Sequence, residues 1–135
     1  MHDLLKQLSA EHIELEQTLA GIRPKQFRTE EGRSRLHRLR DLLHQHIQRE
    51  RQNLYPVLEQ AGRTDERLAG QVSRSSEDLE IVSSLADEFV RKYESGQPQL
   101  IEFATDHGAL LTILRIRLRQ EEETLFPLFE RVSRS

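Results

Sequence analysis

His12, His46, Glu50 and Glu121 are residue types that hold metal ions, and two of them stand at a spacing that suits the task. Imidazole nitrogens and carboxylate oxygens are the donors preferred by iron, manganese and zinc. His46 and Glu50, in HIQRE, are four apart. In a helix such a pair differs by only ~40° in direction and about one turn in height, so both side chains enter one interior layer. Arg117 and Glu121, in RLRQE, repeat the spacing. Both pairs fall within leucine seams, between Leu43 and Val57 and between Leu114 and Leu128. A carboxylate in such a layer demands a cation, because a buried unpaired charge is expensive. Counting Glu50, Asp78 and Glu121 against Arg117 gives −3 + 1 = −2, with both histidines neutral. One divalent ion would cancel that sum.

The elements that must position these residues read as helices. Leu5, Leu8, His12, Leu15, Leu19 and Ile22 recur at three- and four-residue steps, which predicts a first helix over 3–19, capped by Asp3 and ended by Gly21 and Pro24. Thr29, with two glutamates behind it, starts a second that runs towards Gly62. Its seam is Leu36, Leu39, Leu43, His46, Glu50, Asn53 and Val57. A third is expected from Thr64 to about Tyr93, with Val72, Ile81, Leu85 and Phe89 as its apolar side. Pro98 is placed to open a fourth, which carries Phe103, Leu110, Leu114, Leu118, Leu125 and Leu128. Four helices with short connections predict an all-α, antiparallel up-down bundle spanning residues 1–135 as one domain.

The chain also repeats itself. Residues 46–59 align on 117–130 with 117 − 46 = 71, 121 − 50 = 71 and 127 − 56 = 71. Residues 9–16 align on 75–82 with 78 − 12 = 66. Two helical hairpins of one design, paired about a pseudo-twofold, bring His12, His46, Glu50, Asp78, Arg117 and Glu121 face to face. Each half carries an aromatic-proline pair, Tyr55-Pro56 and Phe126-Pro127, where a mid-helix proline is expected to kink the rod.

Other histidines stand apart. His107 lies 14 residues from Glu121, about 21 Å along a helix axis, and His37 and His44 face away from His46.

Composition narrows the function classes. The fraction of charged residues, 32%, nearly equals the 36% that are hydrophobic, which suits helices with a narrow seam and wet outer faces. A net charge of −3, with the basic residues dispersed, speaks against a nucleic-acid partner. There is no cysteine, no run of 18 apolar residues and no apolar signal core at the N-terminus, so a cytoplasmic protein with no membrane partner is expected. No nucleophile-base pair or phosphate loop supports a hydrolase. The Glu-x-x-His spacing of ferritin-like bundles is absent.

EH at 11–12, HIQRE at 46–50, LYP at 54–56 and EEETLFP at 121–127 together resemble the hemerythrin family, in its HHE cation-binding branch, over nearly the whole chain. The resemblance implies a histidine from the first helix of each hairpin, His-x-x-x-Glu from the second, and two irons bridged by the two carboxylates. His12, His46, Glu50 and Glu121 match residue by residue. Where the family carries its other histidines, this chain has Asp78, with Arg74 a turn earlier, and Arg117. Arginine cannot deprotonate to bind a metal, and its fork pairs well with carboxylate. The expectation is therefore one ion, iron before manganese or zinc, held by His12, His46, Glu50 and Glu121, with Asp78 as a further candidate ligand. The Arg117 guanidinium is expected at the second metal position, bridging Asp78 and one glutamate. The implied role is oxygen, nitric oxide or iron sensing, storage or stress response, with the metal ion and a small diatomic molecule as partners. A protein partner or a homodimer stays open. So does a metal-free reading, an interaction or regulatory module held by an ion-pair network centred on Arg117.

Overall fold

Capping side chains start three of the four long helices. Thr29 accepts a hydrogen bond from the Gly32 amide at 3.0 Å, as the sequence leads one to expect, and Asp65 accepts from Leu68 at 3.1 Å. In the computed structural model, which describes residues 2–134, every regular element among those residues is helical. The elements are α1 (Asp3–Ala20), a short 3-10 turn (Pro24–Gln26), α2 (Glu30–Arg49), a π-helical turn (Glu50–Leu54), α3 (Tyr55–Gly62), α4 (Glu66–Glu94), α5 (Leu100–Gln120), a second π turn (Glu121–Leu125) and α6 (Phe126–Ser133). α2 and α3 form one long rod through the first π turn, and α5 and α6 another through the second. With α1 and α4 these make the expected four-helix bundle, in which α1 packs on α2 and α5, and α4 packs on α2, α3 and α5.

Several starts differ from expectation. α1 is capped by His2, whose Nδ1 accepts from the Leu4 amide at 3.0 Å, while Asp3 sits in the first turn, where its charge faces the helix dipole. α4 begins at Glu66 rather than Thr64, and α5 at Leu100, with Pro98 still in the loop.

The π turns change the register. The Tyr55 amide donates to the Glu50 carbonyl and the Phe126 amide to the Glu121 carbonyl, each five residues back. Each turn thus takes in one extra residue just ahead of Pro56 or Pro127. Past Glu50 the buried residues of this rod are Leu54, Tyr55, Leu58 and Gly62, whereas Asn53 is exposed and Val57 only half-buried. The expected seam through Asn53 and Val57 assumed 3.6 residues in every turn.

α4 is also rotated from expectation. Its buried line is Leu68, Val72, Leu79, Val82, Ala86, Phe89, Val90 and Tyr93. Ile81 and Leu85, expected inside, are 58% and 36% exposed, because each lies one residue, about 100°, from a residue that is buried instead. The buried patterns of α1 and α4 align at 79 − 12 = 67, pairing Leu5 with Val72, Leu15 with Val82 and Leu19 with Ala86. The offset of 66 was one residue short, so the counterpart of His12 is Leu79.

The apolar core is split in two. One cluster holds Leu15, Leu19, Leu43, Val82, Leu114 and Leu118, and the other Leu5, Leu8, Leu54, Leu79, Leu125 and Phe126. Along each rod, the residues between the two clusters are the histidines and carboxylates in question.

Candidate metal centre

His12 comes from the middle of α1 and His46 from the last turn of α2; Glu50 and Glu121 are the first residues of the two π turns. All four are buried, at 3%, 1%, 0% and 1% exposure. One ligand atom from each lies within 4.8 Å of the others, a grouping that could hold a metal ion. Nε2 of His12 is 2.7 Å from Glu121 Oε1, and Nε2 of His46 is 3.2 Å from the same oxygen and 3.3 Å from Glu50 Oε2. The His12 ring is wedged between Phe126, at 5.4 Å and nearly parallel, and the His46 ring at 4.9 Å.

Arg117 is buried in the same layer and lies within ordinary bonding distance of three residues. Its Nε donates to Glu121 Oε2 at 2.9 Å, one terminal nitrogen to the Ser75 carbonyl and hydroxyl at 3.1 and 3.2 Å, and the other to the Tyr55 hydroxyl at 3.1 Å. Tyr55 and Ser75 hydroxyls lie 2.8 Å apart and complete the ring of contacts. Glu121 is thereby shared, one oxygen towards the guanidinium and one towards the histidines.

Asp78 does not take the expected place. It is exposed on α4 and outside the four-residue group, and the bonds expected to join it to Arg117 go to Ser75 and Tyr55. The cause is the rotation of α4, which turns Ser75 and Leu79 inward and Asp78 out. Without Asp78 the formal interior charge, with both carboxylates ionised and both histidines neutral as a metal would require, is −2 + 1 = −1, from Glu50, Glu121 and Arg117. Three residues that sequence reasoning did not assign complete the surroundings: Tyr55, Ser75 and Glu11. Glu11 accepts from His46 Nδ1 at 2.7 Å through one oxygen and from Arg49 Nε at 2.8 Å through the other. The EH pair at 11–12 and the LYP triplet held two of them in plain view.

The field in this layer is strong. Burial opposes a charge on His46, yet hydrogen bonds to Glu11 and Glu121 and the nearby Glu50 carboxylate outweigh it and push the imidazole up to about 12. Burial, reinforced by the Glu121 charge, pushes Glu50 up to about 8, and His46 only partly offsets this. Burial acts on Glu121 in the same sense, but hydrogen bonds from His12 and His46 hold it well below the usual carboxylate range. Glu11 is also held low, His46 and Arg49 overcoming its partial burial.

The donor set suits a divalent cation. Both histidines turn Nε2 to the centre, and neither Glu50 oxygen has a hydrogen-bond donor although the residue is fully buried. A buried carboxylate short of donors is one that a bound cation can satisfy. Among the described residues no helix is long and apolar enough to cross a membrane. A family model described as the hemerythrin HHE cation binding domain matches residues 2–129 of 135. Comparison with curated proteins and with solved structures gives no significant match. On the extent of that match, the chain belongs to the hemerythrin HHE cation-binding family.

Proposed function

We propose that the chain binds a single iron ion through His12, His46, Glu50 and Glu121, and that it serves in oxygen, nitric oxide or iron sensing, storage or stress response. Manganese and zinc share the donor preference and are the competing ions. The observation that carries this reading is Glu50: fully buried, with no hydrogen bond to either oxygen, beside two imidazoles that present Nε2 to the same space. Two nitrogens and two carboxylates are the donors that would hold the ion; bound iron would supply Lewis acidity and one-electron redox chemistry. Glu50 would offset part of the ion's charge, Glu121 would serve it with the oxygen not bonded to Arg117, and Phe126 covers His12. Arg117 takes the place of a second cation, since its guanidinium already satisfies Glu121 Oε2 and cannot give up its proton to ligate. A mononuclear centre of this kind departs from reversible oxygen carriage on two irons. The cysteine-free sequence accords with a cytoplasmic setting.

The test is metal analysis of protein purified without an affinity tag, beside His46→Ala. The wild type is expected to carry about one equivalent and the variant markedly less, because each lost ligand weakens the site. Two equivalents in the wild type would refute the role given to Arg117. Equal traces in both, even after reconstitution with iron, would leave a second reading: a metal-free interaction or regulatory module. The bonds that Arg117 makes to Glu121, Ser75 and Tyr55 favour that alternative.

A further inference from the structure

The outward nitrogens of the two histidines are treated differently. His46 Nδ1 meets Glu11 at 2.7 Å, and Glu11 is itself fixed through its second oxygen by Arg49 at 2.8 Å. His12 Nδ1 has no hydrogen-bond partner; the nearest carboxylate is Glu122 at 3.5 Å, on a side chain that is 47% exposed. The Glu11 side chain is only 20% exposed. Glu11 precedes His12 on α1 and reaches across to α2, so two consecutive residues of α1 serve the centre. One faces it directly; the other holds a histidine of the neighbouring helix.

The chemistry of imidazole gives this contact a purpose. A neutral imidazole carries one proton on two nitrogens, and only the nitrogen with the free lone pair can bind a cation. An ionised carboxylate can only accept a hydrogen bond. Placed at Nδ1 it selects the Nδ1–H form, leaves the Nε2 lone pair facing the centre, and fixes the plane of the ring. An exposed glutamate–arginine pair between two helices contributes little by itself. Here one oxygen of the pair is spent on a ring that is 1% exposed. Resting on the metal reading above, we infer that Glu11, clamped by Arg49, is a positioning residue that sets the tautomer and orientation of His46 for a divalent cation. Glu122 does not do the same for His12.

Zinc is the probe, because it is diamagnetic and shares the donor preference. Competition against a chromophoric chelator is expected to show Glu11→Ala weakening zinc binding by about 10- to 100-fold, with Glu11→Gln recovering most of it and Glu122→Ala changing it by less than about threefold. The glutamine carbonyl can still accept from Nδ1, which is why it rescues. Long-range proton–nitrogen spectra of the zinc-loaded protein supply a readout that loss of fold would not mimic. In wild type and Glu11→Gln the His46 Nδ1 carries a proton and Nε2 the metal shift. In Glu11→Ala the His46 signals change while those of His12 stay. Wild-type affinity and wild-type His46 signals in Glu11→Ala would overturn the inference, as would a Glu11→Gln protein as weak as Glu11→Ala. A wild-type protein that takes up no zinc and no iron would instead bring down the metal reading, and this inference with it.

Discussion

Glu50→Gln separates the cost of the buried carboxylate from its use. Glu50 ionises near 4.5 in an unfolded chain and at about 8 in the fold, raised by burial and by Glu121. Between those values the folded, metal-free protein holds a proton that the unfolded chain has released, so its stability falls as pH rises from about 4.5 and levels off above about 8. At ~1.4 kcal/mol for each pH unit, the accumulated loss is under about 1 kcal/mol near pH 5 and about 4 kcal/mol near pH 8. Glutamine has no such proton to gain. His46 keeps Glu11 and Glu121 in both proteins, so its own titration largely cancels from the comparison. Urea unfolding followed by circular dichroism, in chelator and at several pH values, is therefore expected to show Glu50→Gln gaining about 3 kcal/mol on wild type between pH 5 and 8. Metal at about a thousand times Kd should offset that gain, since a bound ion then stabilises wild type by about 4.1 kcal/mol and the variant has lost a charged ligand. A difference that is flat with pH, or one that grows in favour of wild type as pH rises without metal, would refute this account of the site.

Arg117→Leu should destabilise the metal-free protein by about 3–5 kcal/mol in the same assay, because it leaves the buried Glu121 Oε2 without its donor and takes a partner from Tyr55 and the half-buried Ser75. Arg117→Lys should recover only part, its compact ammonium being unable to fork between Glu121 and Tyr55. Tyr55→Phe keeps the packing and removes one hydroxyl between Arg117 and Ser75, for an expected loss of about 1–2 kcal/mol by thermal or urea unfolding. The register of the first π turn is tested by Leu54→Ala, expected to lose about 2–5 kcal/mol, against Asn53→Ala, expected within about 0.5 kcal/mol. Equal effects at the two positions would mean that the rod runs through Glu50 without the extra residue.

Local periodicity and repetition carried the architecture into plain view. Leucines at three- and four-residue spacing marked the helices, and the offset of 71 paired Glu50 with Glu121, each of which opens a π turn. His46 and Glu50 had to share a layer because a helix places every fourth residue on nearly one line. Nothing in those patterns reports how far a long helix is rotated about its own axis. The expected apolar side of α4 ran through Ile81 and Leu85, and packing against α2, α3 and α5 chose instead the line through Leu79 and Val82, sending Asp78 and Ile81 to the surface. The π turns were hidden for a related reason: one added residue leaves the composition unchanged yet moves the seam from Asn53 to Leu54.

His12, His46, Glu50 and Glu121 could be named in advance because each owes its position to a line of its own helix, and the tertiary structure had only to bring four lines together. Glu11, Tyr55 and Ser75 could not, since their partners lie 35, 62 and 42 residues away in the chain, on other helices. The sequence by itself determined the helices, their duplication and the residues able to bind a cation. Only the packed bundle decided that Ser75, rather than Asp78, meets Arg117 and that Glu11 holds His46, because such contacts depend on relative helix rotation, which no single helix encodes.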